Sequence, residues 1–403
     1  MHQLSRAAEN LIGQPMFAFL SQVKALERSG KKIIHFEIGD PHFETPPQVV
    51  AAAKKSLDNG ETHYTDSMGL WDLRQEIRHY AEKEWGFMPD VGQVLVSPAN
   101  ALIDFTIRTL VNPGEEIIYP DPGFPTYSAV ISYAGMRGVP VPILEENNFR
   151  MRAHDVKEKM SSKTRLIIIN SPNNPTGSIM SEEDTREIYA LAKRYNCSIL
   201  TDEVYRSLSE MKPFSVSALD HCHERTIILY SFSKIFAMSG WRLGFAIAPQ
   251  SIATKLGLML ETILSCVPVF TQRGGIAALH VKGKELTTRY QELKRRKDAL
   301  ITGLNTLAGV RCIYPDGAFY AFANIRGTGL SSAAFRDLML DQAGVSVLDG
   351  TAFGKQGEGF ARLSYASATV PMIEEAIKKM SKVLGASAKN KVPLFSPRSG
   401  IIP

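Results

Sequence analysis

Five short apolar runs, Val94–Val96, Glu116–Tyr119, Leu166–Ile169, Ser198–Thr201 and Thr226–Tyr230, recur along the chain with helical or mixed segments between them. Runs of this length, rich in Val, Ile and Leu, read as buried strands. Their alternation with helical patterns predicts a mostly parallel sheet covered on both faces, an α/β fold. At 403 residues the chain exceeds the usual size of one hydrophobic core, so one large domain and at least one smaller one are expected.

Polar residues gather just after three of these strands, at 170–177, 202–205 and 231–234. Open α/β sheets bind ligands at the carboxyl ends of their strands, so the three clusters are expected to converge on one site. After Phe270 the pattern changes. Residues 282–306 form a long charged helical stretch, Arg295, Arg296 and Lys297 included, leading to an α+β region that ends near Leu384. From Gly385 onward the composition reads as a loose tail.

The segment Ser231, Phe232, Ser233, Lys234 carries the most chemistry, with Arg242 eight residues beyond the lysine. An amine able to form a Schiff base, beside hydroxyls and a forked cation suited to a phosphate, is what pyridoxal phosphate (PLP) chemistry requires. Taken singly, each of these residues would more commonly be a loop or surface residue. Asp202, at the end of a buried strand, can pair with a protonated pyridine nitrogen; the bland reading is a helix N-cap. Tyr205 can donate to a phenolate oxygen, or be a packed aromatic. Asn174 sits in a turn rich in proline and asparagine that can present its amide.

Together the segments 38–46, 64–74, 120–127, 170–177, 202–205, 231–244 and 362–366 resemble the class I/II aminotransferases of PLP fold type I, over roughly residues 5 to 384. Several ordered matches are far more specific than any one of them. The resemblance implies a mostly parallel seven-stranded sheet in a large domain at 46–285. It implies a smaller α+β domain built from 1–45 and 286–385, and a flexible tail at 386–403. It implies PLP as cofactor, amino acid and 2-oxo acid substrates, and a homodimer.

By the same resemblance, Lys234 is the covalent lysine and proton shuttle, Asp202 the ring-nitrogen partner, and Asn174 and Tyr205 the phenolate contacts. Ser231 and Arg242 match phosphate ligands, with Ser233 assisting. Phe124 matches the aromatic that stacks on the ring. Tyr64 matches the tyrosine that reaches the neighbouring subunit's phosphate. Arg362 matches the arginine for the substrate α-carboxylate, and Gly39 a backbone contact near it.

One segment departs from the family. Where relatives have a glycine-containing phosphate loop, this chain has Ser97, Pro98, Ala99, Asn100, Ala101, about one residue short and without the glycine. Proline lacks an N–H, so Ala99 and Asn100, with Ala101, must supply the remaining backbone donors. In aspartate-specific relatives a lysine in this loop meets the distal carboxylate, and Asn100 stands there. Aspartate is therefore expected to be a poor substrate and a neutral or basic side chain a better one, unless another cation such as Arg273 takes over.

The net charge of +5 is small and spread along the chain, which argues against nucleic acid or membrane partners. Cys197, Cys222, Cys266 and Cys312 form no CxxC pair, which suits a reducing compartment. The N-terminal region lacks a long apolar run, and residues 256–270 are interrupted by Glu261 and Pro268, so the expected location is the cytoplasm. No metal site is expected: the cluster His221, Cys222, His223 lacks ligand spacing and reads as loop. Gly354–Gly359 reads as a turn.

Two rival readings accompany transamination. One is another PLP enzyme on the same scaffold: a C–S lyase, a synthase or an oxygen-using oxidase. The other is a non-catalytic PLP-sensing module, disfavoured because family-like sequence begins by residue 5.

Overall fold

The computed structural model describes residues 4–389. Its centre is a seven-stranded sheet in the order Val94–Val96, Gly244–Ile247, Thr226–Ser231, Ser198–Asp202, Thr164–Asn170, Glu116–Asp121, Arg137–Pro142. Gly244–Ile247 runs antiparallel to both its neighbours, and the other pairings are parallel. All five expected strands are present. The two not anticipated have physical reasons for being missed. Arg137–Pro142 contains two prolines, which suit only an edge strand, and it lies at the edge. Gly244–Ile247 is four residues long and directly follows the Arg242 segment.

The apolar runs do not alternate with polar residues because both faces of the sheet are covered. In Thr164–Asn170, Leu166 and Ile168 enter one core with Leu102, Ile103 and Leu256. Ile167 and Ile169 enter the opposite core with Ile188 and Leu191. Helices Ala99–Leu110 and Gln250–Leu264 supply the first cover and Glu182–Arg194 the second. Ser181 caps the last of these, accepting the Asp184 N–H at 3.1 Å.

A four-stranded antiparallel sheet, Leu348–Asp349, Phe360–Ser364, Tyr320–Asn324, Arg311–Cys312, forms a second unit. Ile34–His35 pairs with Val345–Ser346, which ties the N-terminal region to it. The long helix Gly283–Leu304 and the final helix Val370–Lys389 pack together. At their crossing a Cβ on Gly303 would lie 2.6 Å from Ile377, so glycine permits the close approach. The final helix continues through Lys389, where a loose tail from Gly385 was expected; residues 390–403 lie outside the described residues.

Candidate active site

The three polar clusters do converge. One cavity of about 510 Å³ is lined by Lys234, Asp202, Tyr205, Asn174, Ser231, Ser233, Arg242, Phe124, Ala99, Asn100, Gly39 and Arg362. Among the expected residues, Ala101 and Tyr64 do not line it; Tyr64 lies on the surface. It is 87% exposed and borders a separate surface recess with Glu261 and Ser265.

The strand ends are held by side chains acting on backbone. Asn170 donates its Nδ2 to the Asp202 carbonyl at 3.0 Å, and its Oδ1 accepts the Asn174 N–H at 2.8 Å. One residue thus ties the end of one strand to its neighbour and fixes the turn that carries Asn174. Beyond the next strand, Asp202 and Glu203 diverge. Glu203 is buried among Thr201, Ser215, Trp85 and Arg206, which donate to it at 3.0, 2.5, 2.9 and 3.0 Å. Asp202 lines the cavity and accepts the Tyr127 hydroxyl at 2.5 Å and the Val204 N–H at 3.3 Å. Burial lifts the Asp202 carboxyl from 3.8 to about 6, and those donors and Lys234 oppose the rise. Tyr205 meets Tyr320 hydroxyl to hydroxyl at 2.8 Å, and burial pushes its phenol well above 10.

Lys234 donates from Nζ to the Gly39 carbonyl at 3.0 Å, and its ammonium lies 5.5 Å from the ring centres of both Tyr205 and Phe319. Burial lowers the amine from 10.5 to about 8, with Arg362 and Arg242 helping and Asp40 and Asp202 opposing. Gly39 admits no side chain, since a Cβ there would meet the Tyr320 hydroxyl. Ser231 and Ser233 bond to each other at 3.0 Å between hydroxyls. Arg242 occupies the left-handed region at φ 55° and donates to the Ser239 carbonyl at 2.8 Å. Strain of this kind at a non-glycine residue collects at functional sites.

The helix Ala99–Leu110 begins directly after Pro98, which precedes it in extended conformation. Its first turn brings Ala99 and Asn100 to the cavity, where N–H groups at a helix start favour an anion. Phe124 similarly precedes the helix Pro125–Tyr133, its ring edge-on to Tyr127 at 5.7 Å.

Arg362 is 1% exposed and stands in the Phe360–Ser364 strand. It donates to Asn174 Oδ1 at 3.3 Å and to the Glu37 carbonyl, and its guanidinium lies 4.6 and 4.8 Å from the rings of Tyr320 and Phe353. Its Nε is buried without a partner. Arg273 does not reach the cavity; it is bound to Glu61 at 3.0 Å and Asp72 at 2.9 Å.

Sequence reasoning gave no role to Tyr127, Tyr320, Asp40 or the N-terminal residues Gln14, Met16 and Phe17. Tyr127 lay inside a quoted motif, so position within it was the available signal. Asp40 likewise lay within the 38–46 segment, whereas Tyr320, Gln14, Met16 and Phe17 carry no local signal and reach the site only by tertiary packing. His221 stacks on Phe87 at 5.0 Å and Cys222 is buried, in a turn.

These residues fit PLP. The amine is drawn toward neutrality, the carboxylate is buried, and hydroxyls, a guanidinium and a helix start share one cavity. The unpartnered Arg362 Nε leaves a donor for a carboxylate. The fold and the site define a PLP-dependent enzyme of fold type I.

The chain matches the family model described as aminotransferase class I and II over residues 31–380, and it belongs to that family. It is 37% identical to an aspartate aminotransferase of Pyrococcus horikoshii, over 90% of this chain and 94% of that one. It is 38% identical to aromatic-amino-acid aminotransferase 2 of Thermococcus litoralis, over 87% and 92%. The solved structure of an aromatic aminotransferase from Pyrococcus horikoshii superposes with a TM-score of 0.85 at 36% identity, covering 92% and 99%. The chain is a PLP-dependent transaminase acting on amino acids and 2-oxo acids. Nothing in these comparisons favours the lyase, synthase, oxidase or PLP-sensing alternatives. Among the described residues no helix is long and apolar enough to cross a membrane.

Proposed function

We propose that this transaminase works through Lys234, Asp202, Tyr205 and Arg362, and prefers amino acids with neutral or basic side chains over aspartate. The observation that carries the reading is the single cavity in which these residues meet. When bound, PLP supplies an aldehyde for the substrate amine and a ring that spreads the negative charge left on Cα.

The protein's own groups do the rest. Lys234, neutral in an appreciable fraction near pH 8, is the amine that would hold the cofactor, and its Nζ would take and return the substrate's Cα proton. Asp202 holds the ring nitrogen through a charge-assisted hydrogen bond. Tyr205 and Asn174 serve the phenolate oxygen. Ser231, Ser233, Arg242 and the N–H groups of Ala99 and Asn100 grip the phosphate. Phe124 covers a ring face. Arg362, aided by Asn174 and by the backbone at Gly39, takes the α-carboxylate.

The substrate preference follows from charge. The cations lining the cavity are Lys234, Arg242 and Arg362, each with a role above, and Arg273 is engaged elsewhere. Asn100 is neutral and has no charge to offer a distal carboxylate. The wall also includes Met16, Phe17, Ile38 and Ile103.

A homodimer is part of the reading, with Tyr64 crossing to the neighbour's phosphate. Tyr64, Trp71 (59% exposed), Ile263 (57%) and Leu264 (48%) leave apolar surface for a second copy to cover. Residues 46–285 act as the large domain, and 1–45 with 286–385 as the small one. Four free cysteines suit a cytoplasmic setting.

The test is product analysis with aspartate, alanine, phenylalanine, leucine, methionine and arginine, with and without 2-oxoglutarate or pyruvate. Oxo acid formed only with an acceptor is expected, with aspartate among the poorest donors. A kcat/KM for aspartate well above the others overturns the preference; ammonia or peroxide overturns the mechanism.

A further inference from the structure

Asp202 is 3% exposed, and its closest donor is a residue 75 positions earlier in the chain. The Tyr127 hydroxyl stands 2.5 Å from Oδ2, and the Tyr127 side chain is fully buried. The other contact, from the Val204 N–H to Oδ1, is long at 3.3 Å. A short bond from a neutral hydroxyl to a carboxylate is a charge-assisted one, roughly twice as strong as a neutral pair.

Tyr127 is itself well held. Its ring packs in the core that contains Leu102, Ile103 and Val130, and it meets Phe124 edge-on at 5.7 Å. Its phenol is kept protonated by burial, which pushes it well above 10, and by the negative charge of Asp202. It therefore stands as a hydroxyl donor toward the Asp202 carboxylate. Of the charged groups around it, Lys234 favours the ionised form of Asp202 and Glu203 disfavours it. Each carboxylate oxygen has two lone pairs, so a single hydroxyl on Oδ2 leaves capacity for a further donor.

We propose that Tyr127 is a positioning residue for the transamination: its hydroxyl fixes the orientation of the Asp202 carboxylate and keeps it anionic toward a cationic ring nitrogen. This rests on the assignment of Asp202 to that nitrogen. Without Tyr127 the carboxylate keeps only the long Val204 contact and is free to turn about its side-chain bonds.

The experiment is a double-mutant cycle with Tyr127→Phe, Asp202→Asn and the pair, each checked for native circular dichroism and thermal unfolding. Three quantities are read: the PLP dissociation constant on reconstitution, the pH midpoint of the bound cofactor's visible absorbance, and kcat apart from KM. Tyr127→Phe is expected to weaken PLP binding and kcat by about 10-fold each, the scale of one hydrogen bond to a charged group. KM for the amino acid is expected to change little. The absorbance midpoint should move in the same direction as in Asp202→Asn, and the pair should be no worse than Asp202→Asn alone.

Three results overturn the proposal. If Asp202→Asn is impaired while Tyr127→Phe keeps the wild-type midpoint and kcat, the Asp202 assignment stands and Tyr127 has no part in it. If the two effects add fully, Tyr127 acts through something other than Asp202. If Asp202→Asn itself turns over normally, the assignment of Asp202 fails and the proposal with it.

Discussion

The state of the Lys234 amine offers a quantitative test of how packing prepares the reaction. Burial brings it from 10.5 to about 8. At pH 7 an amine of that kind is neutral in about one molecule in ten, against about one in three thousand at the ordinary value, a gain of roughly 300-fold in the reactive form. The sign is set by burial: desolvation penalises the ammonium, so the neutral fraction rises with pH through about 8 and levels off above it. Asp40 is the largest opposing influence, because its negative charge favours the ammonium.

Asp40→Asn is therefore expected to lower the midpoint, by roughly half a unit to one unit for the loss of one neighbouring opposite charge. The assay is stopped-flow absorbance on protein stripped of cofactor, following capture of pyridoxal, which lacks the phosphate and so avoids a second titration near pH 6. The capture rate should rise with pH to a plateau with its midpoint near 8, and near 7 to 7.5 in Asp40→Asn. Borohydride reduction and peptide mapping should place the label on Lys234. A midpoint near that of a free lysine, a rise in Asp40→Asn, or a label on another lysine would refute the reasoning.

Arg362→Leu should lower kcat/KM by roughly 2–5 kcal/mol, since it leaves a substrate carboxylate unpaired, while PLP binding persists; collapse of PLP binding with kcat/KM retained would assign the arginine to the cofactor. Mixed dimers of Tyr64→Phe and Lys234→Ala subunits should contain one fully competent site, because a crossing tyrosine places both lesions in the other site; two singly damaged sites would show that Tyr64 serves its own subunit. Glu203→Ala should destabilise the fold by about 3–5 kcal/mol, because Arg206 loses its buried counter-charge; an unchanged urea midpoint would contradict this.

Much of the architecture was legible because local chemistry dictates it. Runs such as Leu166–Ile169 must bury both faces, and the turn at 170–177 has few conformations open to it. The two unanticipated strands depend on neighbours. Arg137–Pro142 is a strand because an edge tolerates its prolines, and Gly244–Ile247 because two partners flank it. The final helix passes Gly385 because long-range packing against Gly283–Leu304 supports its earlier turns.

The site divides in the same way. The sequence alone determined which chemical groups sit at the strand ends: amine, carboxylate, amide, hydroxyls and guanidinium, in an order that identifies the family. Only the tertiary structure decided which distant groups they face. Lys234 meets Gly39 across 195 positions, Arg362 meets Glu37 across 325, and Tyr127 meets Asp202 across 75. It also decided the proton affinities, lowering Lys234 and raising Asp202. The physical reason is that a residue type sets what a group can do, whereas its charge state depends on how much water surrounding elements remove, which no local stretch of chain records.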